Sequence, residues 1–180
     1  KLTSLPDLPE GLVGLNVSDN KLTTLPELPE NLESITSNNN LIAQLPDLPE
    51  ELLSFNVKNN KLLSMPEIPE SLGLIDASSN QLTSLPEIPE GLEELRVGRN
   101  QLTELPELPK SLVVLSAEYN NLTSLPRLPL DLYTLDLEDN PLAIPLDESI
   151  VNDLDEGLYG SYTLREVLKR VVKSLQGKIK

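Results

Sequence analysis

The chain has 180 residues, 38% of them hydrophobic and 3% aromatic, with sixteen prolines, no cysteine, no histidine and a net charge of −15. Without cysteine there is no disulfide, thiolate metal site or thiol nucleophile, and without histidine the usual general base and metal ligand are missing. No stretch approaches about 18 consecutive apolar residues, so no membrane span is expected, and no signal-like apolar segment opens the chain, whose Lys1 in place of methionine points to a processed or excised piece.

Asparagine recurs at Asn20, Asn40, Asn60, Asn80, Asn100, Asn120 and Asn140, and a leucine-type frame keeps step with it. One cycle reads Leu12, Leu15, Val17, Asn20, Leu22, Leu25, Pro26, Leu28, Pro29, and seven copies span residues 2 to 146. A fixed period with the pattern LxxLxLxxN identifies a leucine-rich-repeat solenoid of the α/β horseshoe class. The first repeat begins at Leu2 with no cap before it. Its apolar edge is therefore expected to be covered by sequence from a longer parent, by a second copy of the chain in an oligomer, or by nothing.

Within each cycle, alternation such as Leu95-Arg96-Val97 or Leu135-Asp136-Leu137 predicts a short strand with one face buried. No repeat can cover its own leucines, so stacked copies pair as a parallel sheet of seven strands. The asparagine follows the strand where the chain turns, and its amide is expected to bond backbone groups that the turn leaves unpaired. Then comes Leu-Thr-x-Leu-Pro-Glu-Leu-Pro-Glu, clearest at residues 22 to 30 and, with Lys110 in the last place, 102 to 110. Paired prolines remove N–H donors and hold their neighbours extended, which predicts a thin polyproline-like convex side without long helices.

From Pro145 the frame fails. Thr163 and Glu166 make a capping box, Leu164, Val167, Leu168, Val171, Val172 and Leu175 form an apolar helical stripe, and Gly177 is placed to end it. Residues 147–180 are thus expected to form a helical C-terminal cap over the last repeat of a solenoid at 1–146, with Asp147 to Leu158 as a shorter preceding helix. The same amphipathic pattern also suits a membrane-surface or partner-binding helix. Residues 161–180 set six cations against Glu166 alone, a local +5, so residues 1–160 hold −20. Much of this is framework: Asp7, Glu27, Asp47, Glu67, Glu87 and Glu107 form one ladder, and Glu10, Glu30, Glu50, Glu70 and Glu90 another. A solvated ridge is the plain reading and a docking strip for a basic partner the sharper one; both argue against nucleic acid, whose phosphates need clustered Lys and Arg.

Binding residues belong where the frame is silent, one position before and one after the second leucine-type residue, and at the two positions before the asparagine. Three rows result: Asn16, Thr36, Asn56, Asp76, Arg96, Ser116, Asp136; then Ser18, Asn38, Lys58, Ser78, Gly98, Glu118, Glu138; then Asp19, Asn39, Asn59, Ser79, Arg99, Tyr119, Asp139. The amino half is neutral and amide-rich, the carboxyl half charged. Seven strands give a floor of roughly 29 Å by 10 Å, about 300 Å² against the 800 Å² or so of a standard interface, so flanking rows must contribute. Arg96 and Arg99, with Lys58 and Tyr119, are the leading anchor, because Arg and Tyr are over-represented among binding hot spots. The plain alternative is neutralisation by Asp76, Glu118 and Asp136. Tyr133 with Tyr119 is a second candidate, against packing on the C-terminal cap, and Asn56 and Asp139 complete the predicted surface. Stacked oxygens at Asp19, Asn39 and Asn59 offer weak calcium binding. No catalytic residue, resident metal or cofactor is predicted, since paired carboxylates such as Asp136 and Glu138 lie on an open surface without a pocket.

The run Leu-Pro-Glu-Leu-Pro-x-x-Leu-x-x-Leu-x-Val-x-x-Asn-x-Leu resembles the twenty-residue LPxLP subtype found in secreted bacterial effectors of the YopM and IpaH, SspH and SlrP type. The match is carried by residues such as Leu85, Pro86, Ile88, Pro89, Leu92, Leu95, Val97, Asn100 and Leu102 and covers about four-fifths of the chain. Ser37 stands where valine is expected, Ala77 and Ala117 are small, and Met65 replaces a leucine; Ser37 is the one expected to loosen the core. The resemblance implies a secreted protein delivered to the host cytoplasm whose repeats recognise a host protein. In some relatives the repeats deliver a ubiquitin ligase acting through a catalytic cysteine. This chain has no cysteine, so that activity does not carry over, and the scaffold-like YopM members match better. Three readings follow: a protein-recognition module of an effector, the targeting half of a ligase-type effector whose catalytic domain lies elsewhere, or a repeat scaffold without a specific natural partner.

Overall fold

A computed structural model describes residues 1–142. The expected C-terminal cap, with the last four residues of the proposed solenoid, lies outside them. Seven three-residue strands follow one another: β1 (Gly14–Asn16), β2 (Ser34–Thr36), β3 (Ser54–Asn56), β4 (Leu74–Asp76), β5 (Glu94–Arg96), β6 (Val114–Ser116) and β7 (Thr134–Asp136). They form one parallel sheet in sequence order, and the register is the repeat itself, Leu15 opposite Ile35, Ile35 opposite Phe55, and onward to Leu115 opposite Leu135. Backbone bonds continue past the strand ends: Val17 N–H donates to Thr36 O at 2.8 Å and Asp19 N–H to Asn38 O at 2.9 Å. The sheet is therefore wider than its three-residue strands.

The central strand residues Ile35, Phe55, Ile75, Leu95 and Leu115 are buried beneath the sheet with Leu22, Leu32, Leu52, Leu62, Leu72, Leu82, Leu92 and their counterparts. Opposite this core, the chain between each asparagine and the next strand is extended, and no helix occurs among the described residues, as the prolines require. The second proline of each LPxLP also closes the return turn. Its carbonyl accepts the N–H three residues on, Leu12 to Pro9 at 3.0 Å and Leu92 to Pro89 at 3.1 Å. The aspartates and glutamates of the two acidic ladders stand exposed on this side.

Each asparagine ties three segments together. Asn80 Nδ2 donates to Ala77 O at 3.0 Å in its own repeat and to Val57 O at 3.1 Å in the preceding one, while its Oδ1 accepts Leu62 N–H at 3.0 Å. The same set recurs at Asn40, Asn60, Asn100 and Asn120, all buried. At Asn20 the Nδ2 donates to Val17 O and Ser18 O of its own turn, and the Oδ1 accepts Leu2 N–H at 2.8 Å. Ser37 is fully buried at a valine position, and its Oγ has no partner. The expected weak point in the core is thus an orphaned hydroxyl among leucines.

Candidate protein-recognition surface

The strand alternation that buries Ile75 and Leu95 turns Asp76 and Arg96 to the opposite, solvent-facing side of the sheet. Asn56, Asp76 and Asp136 sit there half-buried, and each commits one oxygen to ending its own strand, accepting the N–H of Lys58, Ser78 and Glu138 at 3.3, 3.0 and 3.1 Å. Part of what sequence assigned to partner binding is therefore turn formation. Lys58 is exposed two strands from Arg96, roughly 10 Å along the sheet.

Arg96 pairs with Glu94, not with Asp76, Glu118 or Asp136. Residues two apart on a strand share a face, which puts both side chains on the same side of β5. Glu118 folds back over Gly98, where a Cβ would lie only 2.1 Å from its Oε1, and its Oε2 is buried without a hydrogen-bond partner. That burial, aided by the nearby charges of Asp136 and Asp76 and opposed by a backbone hydrogen bond and by Arg99, pushes the Glu118 carboxyl above the usual carboxylate range. Gly98 supplies the space for this side chain.

The row before the asparagines was not expected to have a special backbone. All seven of its residues, Asp19, Asn39, Asn59, Ser79, Arg99, Tyr119 and Asp139, lie in the left-handed region with φ between 53° and 60°. Asp and Asn are enriched in that conformation, and their presence at four of the seven positions was the available signal. In the amino half they use it: Asn39 Nδ2 donates to Asp19 Oδ1 at 2.9 Å, and Asn59 Nδ2 to Asn39 Oδ1 at 2.8 Å. These two oxygens, expected to be free for calcium, are occupied by amide hydrogens, and among the described residues no group of three or more Asp or Glu is placed to hold a metal ion.

In the carboxyl half the same row carries Arg99 with its guanidinium 4.2 Å from the centroid of the Tyr119 ring. Tyr119 is exposed. Tyr133 is exposed too but precedes β7, whereas Tyr119 follows β6, so the two lie toward opposite ends of the strands and do not form a pair. Glu138 and Asp139 close the surface at its carboxyl edge and are engaged in interactions of their own. Among the described residues no helix is long and apolar enough to cross a membrane.

Comparison with solved structures matches both the stacking and the repeat. A leucine-rich-repeat domain of a Shigella effector aligns at 38% identity and TM-score 0.71, covering 79% of this chain and 67% of that one. The chain belongs to the bacterial leucine-rich-repeat effector family. YopM of Yersinia pestis aligns at 40% identity and TM-score 0.64 over 78% of this chain, and YopM of Yersinia enterocolitica at 36% and 0.54 over 79%. This chain spans 46% and 41% of those two YopM chains, less than half of either. No protein-family model and no curated protein matches it. What distinguishes this effector-family solenoid is consequently its own sheet face, since the frame beneath is common property of the repeat.

Proposed function

We propose that this solenoid is the recognition module of a secreted bacterial effector and binds a host protein through the carboxyl half of its sheet face. The observation that carries the reading is the exposed Arg99–Tyr119 stack beside Arg96, on a face whose other half is closed by its own amide ladder. Arg and Tyr recur at the centres of protein interfaces because each combines a large flat contact area with directed hydrogen bonding. The floor alone is smaller than a standard interface, so the exposed Val113 and Tyr133 along the strand starts are assigned to its rim. Capture from host lysate by the full chain tests this. An Arg96→Glu, Arg99→Glu variant is expected to lose the partner, while an Asn39→Ala, Asn59→Ala variant retains it. Equal capture by both variants would sink the assignment of the carboxyl half.

A second reading makes the chain the substrate-recognition half of a larger effector of the ubiquitin-ligase type. It is favoured by the match to a domain of a Shigella effector, which the chain covers to two-thirds. Sequencing the parent gene beyond Lys180 decides it: a following domain that contains a cysteine supports this reading, and a stop codon removes it.

A further inference from the structure

The left-handed row divides into residues that suit their backbone and residues that do not. Asp19, Asn39, Asn59 and Asp139 are of the types that adopt φ near 55° readily, whereas a long or aromatic side chain gains nothing locally from that conformation. At Arg99 and Tyr119 the chain accepts the unfavourable backbone and directs the two side chains onto each other. Among the described residues the Arg99 guanidinium makes no hydrogen bond and no ion pair, although Glu118 is close enough to feel its field and leaves one carboxylate oxygen unpartnered. Stacking holds the guanidinium flat and leaves the edge donors of its fork free, the geometry that receives a carboxylate through two parallel hydrogen bonds. Near it stand Asp76, Glu118 and Asp136, with Arg96 three residues before it at the end of β5.

We propose that the Arg99–Tyr119 stack receives a carboxylate side chain of the partner protein, and that the surrounding acids restrict this partner to a segment in which that carboxylate is flanked by Lys or Arg. A polyacidic segment would meet like charge at Asp76, Glu118 and Asp136, and a purely basic one would leave the Arg99 fork unpaired. Selection thus comes from one attractive contact within a repulsive surround. This inference rests on the sheet-face reading above.

The test titrates the full chain with synthetic peptides of about twelve residues built from Lys and Ala, carrying one central Glu, one central Gln, or one central phosphoserine, and a fourth with Glu flanks. The Glu peptide is expected to bind about tenfold or more tighter than its Gln twin and the Glu-flanked peptide, as the loss of a charge-assisted pair implies. Arg99→Gln abolishes that preference, and Arg99→Lys, which has charge but no fork, restores only part of it. Equal binding of the Glu and Gln peptides, no binding of either, tighter binding of the phosphoserine peptide, or an undiminished preference in Arg99→Gln would each overturn the proposal. A stability measurement guards against misfolding as the cause. Arg99→Asn, Tyr119→Asn, which extends the residue types of the amino half into this row, is expected to melt no lower than the parent chain; a lower midpoint would show that the stack serves folding. If the Glu and Gln peptides bind alike while Arg96→Glu still loses the host protein, the carboxylate receptor fails and the recognition reading stands.

Discussion

The two halves of the sheet face are built on one frame and spend their polar groups in opposite ways. Under repeats one to three, Asp19, Asn39 and Asn59 satisfy one another in a side-chain ladder. Under repeats five and six, Arg99 lies on Tyr119 and its guanidinium makes no hydrogen bond among the described residues, and Glu118 covers Gly98 with an oxygen unpaired. Because the backbone conformation is the same at every repeat, the contrast arises in side-chain chemistry alone. It separates a half whose polar side chains satisfy one another from a half in which they do so less fully.

Core substitutions test whether the frame really is common to both halves, and they carry the largest effect. Phe55→Ala and Leu95→Ala, at equivalent positions with almost no exposure, are expected to destabilise by about 3–5 and 2–5 kcal/mol in urea denaturation. A much smaller cost in one half would mean that the halves differ beneath the surface too. The asparagine ladder should also be indifferent to the half it lies in. Asn40→Ala and Asn100→Ala each leave a buried leucine N–H without its acceptor and take one of two amide donors from each of two strand-end carbonyls, at a cost of about 1–3 kcal/mol.

Ser37→Val sharpens the comparison from the opposite direction. It replaces the orphaned hydroxyl by the residue found at Val17 and Val57 and is expected to raise stability by about 1 kcal/mol without altering partner capture. Loss of stability would mean that the site is too tight for valine. The smallest effect belongs to Glu118. Its carboxyl holds a proton more tightly in the folded chain than in the unfolded one, so stability rises as pH falls through the raised titration range and is lowest, for this group, once pH exceeds it. Glu118→Gln should flatten that slope and raise the neutral-pH melting point slightly. An unchanged pH profile would show that Glu118 is not the group responsible.

Most of the fold was legible because the repeat makes each position a column. A twenty-residue period sets strand position, register and buried leucines together, since any slip would expose one repeat's core to solvent and leave its neighbour's uncovered. The prolines announced the extended side, and the asparagines their own hydrogen bonds. Two features of the candidate site escaped: the left-handed backbone before each asparagine, and the partners of the arginines. For the first, Asp and Asn at four positions were read as polar surface when they also report φ above zero. For the second, adjacency in a column names several acids within reach of Arg96 and Arg99 and does not choose among them.

The sequence by itself determined the solenoid, its core, its acidic ridge and the columns that face solvent across the sheet, because these depend on periodicity and on which residues share a face. Tertiary structure alone decided that Arg96 turns to Glu94, that Glu118 settles over Gly98, and that Arg99 stacks on Tyr119. The last two bring together residues from neighbouring repeats whose separation is fixed by strand spacing, and the contact each side chain makes depends on the room its neighbour leaves. Periodicity sets the columns; local volume and charge select the pairs.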